Sequence, residues 1–156
     1  MFDYLEFSLW FVLIHIFSYM LAGVVAYYVV HKGPYFTGDD PFFNNYRTPD
    51  TADWAHVNRW LIPVQIIRGF LFSIVLYPIL DVIDGLGASM IFLFIFGLMY
   101  VYTELASMVA GPCNLEGWIY FKSEKFSRGK FFCLKMHFEG IFYSLVIASL
   151  VSIFLF

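Results

Sequence analysis

Charge is scarce in this chain. Only 13% of its 156 residues are Asp, Glu, Lys or Arg, about half the share of an ordinary soluble domain. A water-exposed fold would have too little polar surface. No heptad pattern, internal repeat or low-complexity tail is present, which excludes a coiled coil, a solenoid and a disordered tail. There is no two-histidine ligand motif and no intact catalytic motif. The two cysteines, Cys113 and Cys133, do not form a Cys-x-x-Cys pair. The first apolar run has an acidic flank, Met1-Phe-Asp-Tyr-Leu-Glu6, and no small-x-small cleavage site. It therefore reads as a retained helix and not as a signal peptide.

Apolar surface is abundant: 61% of the residues are hydrophobic, and they are segregated into runs long enough to cross a bilayer. The runs predict spans at about 7–30, 57–80, 88–110 and 137–156. The fold expected is all-α: a polytopic membrane protein with four transmembrane helices in an antiparallel bundle, residues 1–156 forming one integral membrane domain. Small residues recur at helical spacing in two of the spans, with His15, Ser18, Ala22 and Ala26 in the first and Gly140, Ser144, Ala148 and Ser152 in the last. Such stripes let another helix backbone come close. In the second span Leu61, Gln65, Arg68 and Phe72 share a face. In the third, Gly97, Tyr100, Glu104, Ser107 and Gly111 do so.

Two long connections join these spans. Residues 31–56 carry Gly-Pro, Asp-Pro and Asn-Asn turn signals and a helix start at Thr48 with Pro49. Residues 111–136 interleave Lys122, Lys125, Arg128, Lys130 and Lys135 with aromatic rings, a composition suited to a surface of anionic headgroups and not to nucleic acid. With Lys32, Arg47 and Arg59, eight basic residues fall in or beside these connections and none in the termini or the Asp81–Gly87 link. The positive-inside rule then makes both connections cytoplasmic and both termini external, in a cytoplasmic (inner) membrane. On that reducing side Cys113 and Cys133 are expected as separate thiols, without disulfide chemistry.

A lone ionised group at the bilayer centre costs about 2.5 to 3.5 kcal/mol on insertion scales. Arg68 and Glu104, each inside a span and each about 10 to 15 Å deep, are therefore expected to pair. Glu116, His137 and Glu139 lie at the same membrane level, with Gln65 closer to the surface and His15 nearer the midplane. Together these residues form a candidate buried polar cluster. A structural ion pair that fixes helix register is as good a reading of Arg68 and Glu104 as a catalytic or transport role. No haem or metal is expected: His31, His56 and His137 are the only candidates near the surface, and no spacing within one helix forces ligation.

The stretch Pro112-Cys-Asn-Leu-Glu116-Gly117-Trp-Ile119-Tyr120, with Arg68-Gly69 upstream, resembles a pattern in small four-helix bacterial inner-membrane proteins of unassigned function. The resemblance implies no activity, but it ranks Arg68, Glu116 and Gly117 among the residues worth mutating. Three function classes fit the sequence. The first choice is a non-catalytic subunit or assembly factor of a larger membrane complex, held by a membrane protein partner or by a second copy. The second is a small oligomeric proton-coupled transporter or ion-pathway protein, with Glu104 or Glu139 as the exchanging acid. The third is an enzyme that binds lipid headgroups, with Arg68 holding the anion and Glu116 or His137 acting as base; the balance is against an enzyme.

Overall fold

The computed structural model describes residues 3–31, 47, 54–109, 111, 113–120 and 132–156. The helix start expected at Thr48 and Pro49, and Lys122, Lys125, Arg128 and Lys130 of the basic segment, lie outside them. The described residues are mostly helical, with no strand among them. Four helices are long and apolar enough to cross a membrane: Tyr4–Val30, Trp54–Asp84, Ala88–Leu105 and Cys133–Phe154. The chain divides into two compact units, Met1–Leu80 and Asp81–Phe156.

The first unit is built on α1 (Tyr4–Ala26) and α2 (Trp54–Leu76). Glu6 in the first turn of α1 suits the positive end of the helix dipole. The helix then runs on as a π-helical turn, Tyr27–His31. Its small-residue stripe is buried as expected, with His15, Ser18, Ala22 and Ala26 no more than 1% exposed. Leu9, Leu13 and Phe17 point outward, as a lipid-facing surface requires.

On α2 the buried row is Gln65, Gly69, Ser73 and Leu76. The face expected from Leu61, Gln65, Arg68 and Phe72 is thus turned by part of a residue spacing: Gln65 is buried, whereas Arg68 and Phe72 sit half-buried at its edge. The reason is steric. A Cβ at Gly69 would lie 3.1 Å from the Cα of Val12 and 3.2 Å from the His15 ring, so the absence of a side chain there sets where α1 touches α2. Pro63 lies within α2, a position that bilayer helices tolerate. Pro78 occupies a 3-10 turn, Tyr77–Ile79. Helix resumes as α3 (Leu80–Asp84), carrying the second span four residues beyond its expected end.

The second unit contains α4 (Ala88–Phe96), α5 (Leu115–Tyr120) and α6 (Phe132–Phe154). At Gly97 the third span changes to a π-helix that runs to Leu105 and closes with the Ala106 amide donating to the Val101 carbonyl at 2.7 Å. This shortens the expected span and breaks the expected stripe. The wider π turn alters the register, and Ser107 lies past the helix end, where its hydroxyl accepts from the Val109 amide. In α6 the small-residue row is realised, with Ser144 and Ala148 fully buried and Ser152 nearly so.

Candidate functional site

Among the described residues, polar side chains collect at three places, one in the first unit and two in the second. In the first unit they form a seam between α1 and α2. His15 Nε2 donates to Gln65 Oε1 at 3.0 Å, and both side chains are buried. The His15 ring also meets the Phe72 ring edge-on, with centroids 5.6 Å apart. Toward the other end, Ser8 Oγ lies 2.8 Å from Ser73 Oγ and 2.5 Å from the Tyr77 hydroxyl. Ser73 Oγ also reaches the Phe70 carbonyl, and the Tyr77 hydroxyl reaches the Tyr4 carbonyl. These four contacts share three hydroxyl protons; with Ser73 donating to Phe70 and Tyr77 to Tyr4, the Ser8 proton serves either Ser73 or Tyr77. Each member answers another member of the same helix pair, which is how polar groups are hidden from lipid. Arg68 stands beside this seam with its guanidinium 5.2 Å from the Phe72 ring centroid, in cation-π range.

In the second unit Glu104 projects from the π-helical stretch onto α6. A Cβ added at Gly140 would lie 3.3 Å from the Glu104 Cγ, so the carboxylate occupies space that a larger residue would fill. Glu139 is the residue before Gly140, so it belongs to the stretch of α6 that Glu104 packs against. One turn farther along α6, the Ser144 hydroxyl is buried without a hydrogen-bond partner. Tyr100 packs edge-on against His137 at 5.9 Å. Arg68 belongs to the first unit and Glu104 to the second, and each makes these contacts within its own unit.

The third place is the elbow after the third span, where Asn114 organises the backbone. Its Oδ1 accepts from the amides of Gly111 (3.0 Å) and Gly117 (2.7 Å), and its Nδ2 donates to the Val109 carbonyl (2.8 Å). Bonding the amide three residues on is the N-cap geometry that starts α5. Gly117 is required by packing, because a Cβ there would collide with the Gly111 carbonyl oxygen. Cys113 adopts a positive φ of 67°, a region that non-glycine residues visit only where the surroundings impose it. His137 Nε2 donates to the Cys113 carbonyl at 2.9 Å. Cys113 and Cys133 are bonded as a disulfide, with Cα atoms 5.2 Å apart. That overturns the expectation of two separate thiols: residue 113 is docked on the face of α6 that carries both Cys133 and His137, one helical turn apart.

The chain matches no family model, no curated protein and no solved structure. Its reading rests on its own geometry. Of the candidate residues, the structure joins His15 to Gln65 and sets Glu104 against α6 at Gly140, next to Glu139 in the chain. His137 is spent on the Cys113 carbonyl, and Glu116 sits half-buried in the first turn of α5. His56 is exposed in the first turn of α2, Lys135 is exposed near the start of α6, and the His31 side chain lies outside the described set. Among the described residues, no three His, Cys, Asp or Glu side chains are grouped to hold a metal ion. Sequence reasoning missed Ser8, Ser73 and Tyr77, whose meeting depends on helix register across more than sixty positions. It also gave Asn114 no role, although an asparagine just before a helix, after Gly-Pro, is a visible cap signal.

Proposed function

We propose that this is a non-catalytic subunit or assembly component of a larger membrane complex, in a bacterial cytoplasmic membrane. One observation carries the reading. The most heavily constrained backbone described, the Asn114 elbow, carries some of the most exposed apolar and aromatic side chains, with Trp118 85%, Ile119 64% and Tyr120 71% exposed. Three side-chain hydrogen bonds, a glycine that admits no substituent and a covalent cross-link fix the start of a six-residue helix. That helix presents aromatic surface outward. Rigid presentation of aromatic side chains is the habit of binding surfaces, and their level at the end of a span suits a membrane partner. The polar seam of the first unit supports the same reading, since its members bond to one another in the manner of structural packing.

The test is site-specific photocrosslinking. A benzophenone side chain at position 118 should give one discrete protein adduct in native membranes, whereas position 9, on the outward face of α1, should give lipid adducts. Lipid adducts alone at position 118 would refute the reading.

Glu104 and Glu139 favour a second reading, proton exchange. An acidic residue inside a span is a functional-site signal in itself, and π-helical turns are frequent at functional sites. Purified protein in liposomes under a pH gradient would then carry a proton flux that Glu104→Gln removes.

A further inference from the structure

Cys113 and Cys133 are the chain's only cysteines, and the structure pairs them, leaving no free thiol. The pairing does not rest on the bond alone. Asn114 fixes the turn on one side of Cys113, and His137 holds the Cys113 carbonyl on α6. Cys133 and His137 are four residues apart and so share a face of that helix. The contact to His137 therefore delivers the Cys113 sulfur to Cys133. A dithiol brought together in this way oxidises readily, because closing the bond costs little further ordering, and for the same reason the bond resists reduction. Stable disulfides of this kind belong to oxidising compartments.

We propose that the connection between the third and fourth spans faces an oxidising, extracytoplasmic compartment, where Cys113 and Cys133 are joined by exchange with a donor disulfide of the thiol oxidoreductase class. The exposed Cys133 attacks first as thiolate and breaks the donor sulfur-sulfur bond, forming a mixed disulfide and releasing one donor thiolate. The Cys113 thiolate then attacks the Cys133 sulfur and releases the second. Two electrons pass to the donor, which leaves as a dithiol carrying the two protons that the cysteines gave up. With four spans, the N-terminus, the Asp81–Gly87 link and the C-terminus then lie on the cytoplasmic side.

This is the reverse of the orientation that the lysine and arginine count predicts. The count expresses a bias in how spans are oriented and not a chemical requirement. The basic residues therefore express a preference, whereas a persistent disulfide requires an oxidising side.

The experiment uses the unmodified full chain in whole cells of a bacterial host, with alkylation by a membrane-permeant maleimide polymer that adds a visible mass per free thiol. No shift is expected in untreated cells. Two additions are expected once a membrane-impermeant phosphine has been applied to spheroplasts from outside. The proposal is overturned if both thiols react without reduction, or if the reductant works only after the inner membrane is broken. A green fluorescent domain fused to the C-terminus should fluoresce, as it does only when folded in the cytoplasm, and a dark but intact fusion would also overturn the orientation.

Discussion

The elbow at Asn114 permits a quantitative test. Replacing Asn114 with Ala removes three hydrogen bonds together. Losing the cap to the Gly117 amide costs about 1 kcal/mol, and each of the other two costs about 0.5 to 1.5 kcal/mol. The sum is about 2 to 4 kcal/mol against the closed elbow. At 1.4 kcal/mol per factor of ten, the open form becomes roughly thirty to a thousand times more populated. Hydrogen exchange followed by mass spectrometry reads this directly, at the amides of Gly117 and Trp118, which bond to the side chain and to the carbonyl of Asn114. Asn114→Asp is the decisive comparison. It keeps the acceptor for both amides, adds a charge favoured at a helix start, and loses only the donation to Val109, so its exchange should rise about tenfold or less. If the alanine variant exchanges as slowly as the parent, or the aspartate variant opens as far as alanine, the elbow is not held by this side chain. Both variants must be measured with the Cys113–Cys133 bond intact, because the covalent tie limits how far the elbow can open.

Other outcomes follow from the same packing. Gly69→Val should separate α1 from α2, since even a single added carbon would press on Val12 and His15 at 3.1 to 3.2 Å; a clear loss of thermal stability in detergent is expected, and a shift of less than 1 °C would count against the close approach. A double-mutant cycle on His15→Leu and Gln65→Leu should give a favourable coupling of about 0.6 kcal/mol, and no more than about 1.7 kcal/mol, as interhelical hydrogen bonds in membranes do, and zero coupling would show that the two side chains do not meet. Ser144→Ala should be neutral or stabilising by about 1 kcal/mol, because it removes a buried hydroxyl without a partner; a marked loss of stability would mean that the hydroxyl has a ligand. Gly140→Leu should displace the Glu104 side chain and abolish any proton flux that Glu104→Gln abolishes, a comparison made in liposomes.

What the sequence made legible follows from what each signal depends on. Apolar runs depend only on neighbours in the chain, so all four spans were visible, as were the buried stripes of His15, Ser18, Ala22 and Ala26 and of Ser144, Ala148 and Ser152. The third span was read too long, because periodicity assumes α-helical turns and nothing in Gly97–Leu105 announces the wider winding. The partners of Gln65 and Ser73 were invisible for a different reason: they are set by the register between helices, and that register is set by Gly69, whose role is to lack a side chain. The cysteines were misread because the lysine and arginine count fixed the compartment first and the thiols were judged by it.

The fastenings of this chain also differ in when they can close. Those of Asn114 span nine residues, Val109 to Gly117, so the elbow can set while later parts of the polypeptide are still being made. The bond between His15 and Gln65 bridges fifty positions. From the time the first span leaves the insertion machinery until the second arrives, His15 and Ser8 on it must wait without their mates in the other helix, either in hydrocarbon or in the shelter of an insertion factor. The early life of this protein therefore includes an interval in which its first helix carries polar groups that only the second can answer.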